Sequence, residues 1–568
     1  MDGSLLFVNK TQASRVLSRS KAGERSAILS HVQNKRRRHE AEATQSLKPW
    51  AGFTTTLSAS DVSDKSKMVE MKLKVVDHDV MARSVKSSAD SQKQKKQKEA
   101  AEKRLTPKYA SSKSLLKAIQ PAYNASDPFH CTVANLDAGT HAILHITFSH
   151  ASRVNFLAES FAPPEKLLQH TPMRHDRMFQ LRLECCVEDE KLMYSTLAYG
   201  SSLLGWTMGR FHSGKQPEYF LDKALRAVRV YLSTPGYIVD DWLLLSMYGL
   251  AITEMWNCLP SMWRQLPERH AMAAKLGSRG FSACRMHLKT LFQVVEYAGG
   301  WEKFDPYVLD SVILADKFMA ITSRKLPIIP VTWDPGPLPS ESLEEFSVAE
   351  EELMMVLPRL GTGFQLESLS EELCNILQDL VAYCRIASTT WSFSSTRPDI
   401  EGWLFRRCQA LSYRLLLHAL DQNAKHLERC ISLASLTFIL TSIPARGPQM
   451  SAQDVTSHLF DLLQEGQFSA EKGGVSDGLC FWLLFMGCVV SEPSTHRLWF
   501  LERIADYCDE EELTESSFKE RVESYFYLPS RQGARIPAVL EYLNTMVKGR
   551  QNSDKLWLSG GVASGCME

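Results

Sequence analysis

A chain of 568 residues, 44% of them hydrophobic, has enough apolar side chains to build one large core or several ordinary ones. Its formal net charge of zero hides an asymmetry: residues 1–120 hold 25 Lys and Arg against 12 Asp and Glu, and the rest hold 40 against 53. This excludes an evenly neutral protein and describes a basic arm on an acidic body, the arm suited to nucleic acid, an import receptor or an acidic surface.

The opening MDGSLLFVNK has no charged-then-apolar leader, so no secretory signal is expected. The longest charge-free apolar stretches, Trp242–Thr253 and Leu479–Val490, fall short of the roughly 20 apolar residues a membrane span needs. No membrane contact is expected. Thirteen cysteines lie between Cys131 and Cys566 without a Cys-x-x-Cys pair or zinc-ligand spacing. They read as reduced core thiols of a cytosolic or nuclear protein, with no cofactor or metal implied.

Residues 1–43 form a basic N-terminal segment. Within it residues 21–43 predict a helix with Ile28, Leu29 and Val32 on a small apolar face. Lys35, Arg36, Arg37 and Arg38 form its basic end. Residues 44–121 read as a disordered linker, rich in Ser, Lys, Gln and Asp and too poor in apolar groups to offset its ordering entropy. A second basic cluster there contains Lys93, Lys95, Lys96 and Lys98.

Residues 122–548 carry helical patterns in succession. They predict helices at 132–158, 177–208, 217–232, 239–257, 267–297 and 306–324. After a proline-rich loop at 327–340 come 344–358, 367–393, 399–420, 424–442, 451–465, 477–491, 494–510, 514–526 and 534–548. Lys325–Trp333 reads as an extended loop, and no fixed-period repeat is present. The fold class is all-α: a large irregular multi-helical domain of helical hairpins behind a basic, largely disordered arm. Residues 549–568 read as a flexible tail.

Phe281–Pro330 is the organising stretch of this body. Met286, Leu288, Leu291, Phe292, Val294 and Val295 share a broad helical face. Gly299 and Gly300 end that helix, and Asp305-Pro306 restarts the next as cap and first-turn residue. Val308, Leu309, Val312, Ile313, Ala315 and Phe318 then form an apolar stripe, and the prolines from Pro327 to Pro339 prevent continuation. The hairpin is suited to burial between other helices and shows no chemistry.

Other constellations have structural readings that outweigh chemical ones. His141 and His145 share a helix face with His150 nearby, but Ala142 stands where a zincin carries glutamate. Gly200–Gly209 lacks the Gly-Lys-Ser/Thr of a phosphate loop and reads as close helix packing or a helix end. Cys185-Cys186 reads as inert thiols, and the acidic runs Glu350–Glu352 and Asp509–Glu512 as solvated faces. The tryptophan-rich stretch Trp242–Trp263 reads as core. Lys35–Arg38 is the strongest local signal, serving nuclear import or phosphate contact.

The opening, through Phe7-Val8-Asn9, Arg25-Ser26, Ser30-His31-Val32 and Lys35–Arg38, resembles the N-terminus of a large group of fungal proteins. Asp127-Pro128-Phe129 matches an element that precedes their helical body. The body resembles the fungal-specific transcription factor domain, most visibly in Gly299-Gly300, the helix containing Asp310 and Asp316, and the exit Thr322–Pro330. The resemblance covers residues 1–40 and 125–548 in outline.

The resemblance implies a nuclear transcription regulator, not an enzyme, whose helical domain works through regulatory and protein contacts. Its expected partners are a nuclear import receptor, other transcription regulators and, through the basic arm, DNA. Many members of the wider family carry a six-cysteine, two-zinc cluster ahead of the domain, whereas residues 1–130 contain no cysteine. This departure keeps a second expectation open: a scaffold or corepressor that binds no DNA and docks on another transcription factor.

Overall fold

The computed structural model describes residues 133–134, 137–148, 156–167, 174–211, 216–339, 350–393, 398–465, 476–490, 495–507 and 514–546. All lie in the second of two compact units, Thr132–Glu568. Among the described residues there is no strand, and the expected all-α class is borne out. None of the described helices is long and apolar enough to cross a membrane.

Counting helices of nine residues or more, the body runs α1 (Ala138–Ile146), α2 (Asp176–Glu188), α3 (Glu190–Met208), α4 (Pro217–Leu232) and α5 (Asp241–Asn257). Then come α6 (Pro267–Ala298), α7 (Pro306–Ser323), α8 (Glu371–Ser392), α9 (Pro398–Leu420) and α10 (His426–Ser442). The series ends with α11 (Arg446–Glu465), α12 (Asp477–Cys488), α13 (Thr495–Tyr507) and α14 (Glu515–Glu523), followed by α15 (536–546).

Local chemistry explains where the helices break. The single helix expected over 177–208 is two, because Asp189 adopts an extended conformation and caps α3 by accepting from the Leu192 amide. The 267–297 helix persists as α6 but kinks at Gly277, where φ is +41° and a side chain would be strained. Of the 132–158 expectation, the structure describes α1, which starts where Asp137 accepts from the Thr140 amide, and residues 156–158 are again helical. Helix α8 begins only at Glu371, because Ser370 is its cap. Of the 344–358 expectation, the described part is helical over Glu350–Met355 and ends there.

Helix α7 links two groups of helices. It packs on α5 and α6 before it and on α9 and α11 after it. In the first group α3 packs against α1, α2, α4 and α5. In the second, α9 packs on α8 and α10, and α10 on α11 and α12. One extensive apolar core joins α7–α15, including Ile321, Leu380, Leu411, Phe438, Trp482, Phe500 and Val539.

The Phe281–Pro330 hairpin is built as expected at its turns. Gly299 and Gly300 have φ of +101° and +97°, and Asp305 accepts from the Tyr307 amide at 2.9 Å. Its first helix is less deeply buried than expected. Leu288, Leu291 and Val295 are buried with Cys284 and His287, but Met286 is 47% exposed. Met286 lies two positions from both Cys284 and Leu288, about 200° around a helix and so on the opposite side.

Candidate functional site

Helix α7 is buried almost all the way round, from Tyr307 to Ile321, with Phe318 partly buried. A helix so enclosed cannot leave charges unmatched, since an unpaired buried ion costs several kcal/mol. It nevertheless carries Asp310, Asp316 and Lys317, each with 0% exposure. Each charge is met by donors or acceptors from elsewhere in the chain.

Asp310 is reached from two directions. His175 Nε2 lies 3.0 Å and Arg174 Nη2 2.6 Å from Oδ2, both residues from the turn before α2. Arg406 Nε, from α9, donates to Oδ1 at 2.9 Å. Burial opposes ionisation, but the His175 hydrogen bond and the two guanidinium groups outweigh it, holding Asp310 below the usual carboxylate range. Glu401, one turn before Phe405 and Arg406 on α9, is also buried beside Arg174. Burial pushes its carboxyl up to about 7. Gly402 makes room for this cluster: a Cβ there would lie 2.7 Å from Arg174 Nη1.

Asp316 holds the exit from α7. Its Oδ2 accepts from the amides of Ile328 and Ile329 at 2.8 and 2.9 Å and from the Tyr413 hydroxyl at 3.2 Å. Burial nevertheless dominates and raises its pKa. The loop beyond is held by Arg407, whose Nη1 reaches both Asp334 carboxylate oxygens at 2.8 Å while Nη2 pairs with Asp379 at 2.8 Å. Lys317 donates to Glu159 Oε2 at 2.7 Å, and Gln409 Nε2 donates to the same oxygen at 3.1 Å.

At the C-terminal end of α7, Arg324 adopts φ +50° without being glycine. Two contacts to α11 hold it there: Nη1 to Asp461 Oδ2 at 2.6 Å and Nη2 to Ser457 Oγ at 3.0 Å. Thr322 Oγ1 donates to Asp454 Oδ2 at 3.1 Å beside them. Burial pushes Asp454 up to about 6. Charge pairing at Asp310, Lys317, Arg324 and Arg407, and neutral donors at Asp316 and Asp454, fix these helices. Their carboxylates are engaged by donors of the chain itself, the pattern of an internal brace.

The expected import or phosphate-contact residues Lys35, Arg36, Arg37, Arg38, Lys93, Lys95, Lys96 and Lys98 lie outside the described residues, as do His150 and Asp509–Glu512. His141 is buried and His145 half-buried on α1. Among the described residues, no group of three or more His, Cys, Asp or Glu is arranged to hold a metal. Close packing is the role of Gly200 and Gly205: an added Cβ would come within 2.0 Å of Thr147 Oγ1 and 2.4 Å of Phe211 Cε1, respectively. Gly209 ends α3 with φ +66°. Burial pushes Cys186 up to about 11, so it is a thiol at neutral pH. Trp263 is fully buried, while Trp242 and Trp256 are half-buried.

Sequence reasoning named Asp310 and Asp316 only as marks of resemblance, and it missed Lys317, Glu159, Arg174, His175 and Arg406. One signal was available. Three charges inside a run as apolar as Tyr307–Ile321 imply buried ions, and buried ions imply partners. Which partners Asp310 and Lys317 take could not be read, because they lie between 96 and 158 residues away in the chain.

Comparison with known proteins gives one family match: residues 365–523 fit the model of the fungal specific transcription factor domain. No curated protein and no solved structure matches. The matched segment runs from the turn before α8 through α14. It follows the Phe281–Pro330 hairpin and includes α9 and α11, on which α7 packs. Over this segment the chain is similar to the fungal specific transcription factor domain, a domain of transcription regulators.

Proposed function

We propose that the protein acts in the nucleus on a fungal gene set, such as a biosynthetic gene cluster or a developmental programme. The observation that carries this reading is the transcription factor domain over residues 365–523. That family is regulatory rather than catalytic, and the reading assigns no enzymatic activity. The braced helical body serves as the regulatory and partner-binding domain. The basic arm supplies nuclear import and phosphate contact through Lys35, Arg36, Arg37 and Arg38, and through Lys93, Lys95, Lys96 and Lys98. The import receptor and other transcription regulators are its protein partners.

A tagged full-length protein with Lys35, Arg36, Arg37, Arg38, Lys93, Lys95, Lys96 and Lys98 all changed to Ala tests the arm. Loss of nuclear enrichment supports the reading, and unchanged enrichment contradicts it. DNA affinity through the arm should be weak and fall steeply as salt rises, because each phosphate contact releases counterions. Equal affinity at low and high salt contradicts the DNA contact.

The absence of cysteine from residues 1–130 favours one second reading. These residues cannot supply a six-cysteine zinc cluster, so the protein would dock on another transcription factor as a scaffold or corepressor. Sequence preference of the full chain for one duplex over others separates the two readings. The second reading expects none.

A further inference from the structure

We infer that Thr234, in the turn between α4 and α5, is a phosphorylation site for a proline-directed protein kinase, and that the phosphate loosens the end of α4. The stretch Ser233-Thr234-Pro235-Gly236-Tyr237-Ile238 follows the last residue of α4. All six residues are exposed, Ile238 by 68%. Among the described residues, Thr234 is the one serine or threonine followed by proline. A kinase whose cleft offers no acceptor to the residue after the target hydroxyl rejects an N–H there and admits proline, which has none. Ser233 is equally exposed, but the residue after it carries an N–H. The two adjacent hydroxyls are thereby distinguished.

The turn is lightly held. The Thr234 carbonyl accepts from the Tyr237 amide at 3.2 Å, and Gly236 has φ +75°. With Pro235 in second position this is the arrangement of a type II turn. The Thr234 amide donates to the Tyr231 carbonyl at 3.1 Å, and the Tyr231 hydroxyl donates to the Ile238 carbonyl at 2.9 Å. Exposed hydrogen bonds add little, because water replaces them when they open. Local opening lays Thr234 extended in a kinase cleft without unfolding the body.

In the transfer, Thr234 Oγ1 attacks the γ-phosphorus of ATP and its proton passes to the catalytic base of the kinase. The new O–P bond forms as the bond from the γ-phosphorus to the bridging oxygen breaks, and ADP leaves. The unmodified Oγ1 donates to the Val230 carbonyl at 3.0 Å, in the last turn of α4. Once esterified it has no proton to donate. The phosphate also brings about two negative charges at pH 7 to the negative end of the helix dipole. Both effects weaken the bonds that tie the turn to α4. The inference does not depend on the transcriptional role.

The test treats the full-length chain with magnesium-ATP and, separately, a purified mitogen-activated kinase and a purified cyclin-dependent kinase, with sites assigned by tandem mass spectrometry. At least one kinase should label Thr234 and leave Ser233 unlabelled. Pro235→Ala should cut Thr234 labelling at least about tenfold, because the restored N–H is left unpaired in the kinase cleft. Hydrogen exchange of the amides over residues 231–238 should quicken at least about threefold on phosphorylation. No phosphate on Thr234 with either kinase, equal labelling of Ser233, undiminished labelling in Pro235→Ala, or unchanged or slower exchange after phosphorylation would each overturn the inference.

Discussion

Lys317 on α7 and Glu159, 158 residues earlier, meet at 2.7 Å with both side chains excluded from water. The pair joins the central helix to the segment before α2, and Gln409 of α9 shares the same carboxylate oxygen. Lys317→Met alone strands the Glu159 charge and should cost about 3–5 kcal/mol. The double variant Lys317→Met/Glu159→Leu should recover much of that loss, because two apolar groups replace two ions. Chemical denaturation of the four species forms the cycle. Additive losses would show that the residues do not act as a pair.

Asp310 should make stability sensitive to acid. Its folded pKa is depressed, so its contribution is present above the unfolded value of about 3.9 and is lost as pH falls through the folded value. Asp310→Asn should be less stable than wild type at pH 7 by about 3–5 kcal/mol, since Arg174 and Arg406 lose their counter-charge. The gap should narrow below about pH 4. Tm measured for both proteins across that range checks it; a constant gap contradicts the assignment.

Glu401 should act in the opposite sense. Its carboxyl is raised from 4.5 to about 7, so between those values the unfolded chain releases the proton while the folded chain keeps it. Stability contributed by this group therefore falls as pH rises through the window, by about 3 kcal/mol in all. Glu401→Gln removes that dependence. It should match wild type near pH 4 and exceed it at pH 8, as read by denaturant midpoints at the two pH values.

Gly200→Ala should destabilise by steric conflict. The new methyl would meet Thr147 Oγ1 at 2.0 Å and Ile143 Cγ2 at 2.8 Å, where α1 crosses α3. The cost expected from overpacking is about 1–3 kcal/mol. Adding Thr147→Ala should restore part of it, and Tm values of the single and double variants decide whether the contact is the cause.

The all-α class and most helix positions were legible because apolar spacing at a helical period survives burial, as in Leu380, Leu411 and Leu459. Capping was legible where the signal is local: Asp305-Pro306 and Gly299-Gly300 behave as their chemistry dictates. The break at Asp189 was not, because an aspartate inside a long helical pattern can equally face solvent, and only its capping of the Leu192 amide marks the boundary. The charged brace of α7 was half legible. Asp310, Asp316 and Lys317 stood out as ions in an apolar run, but the partner of a buried ion is set by tertiary packing. The burial of Arg182 carried no local mark at all, since its α2 neighbours Leu183 and Glu184 are exposed.

The most direct measurement is chromatin occupancy of the tagged full-length protein combined with transcript profiles of a strain lacking its gene. A transcription regulator built on the domain at 365–523 predicts occupied promoters that coincide with a defined set of altered transcripts. No chromatin enrichment together with an unchanged transcript profile would contradict the account.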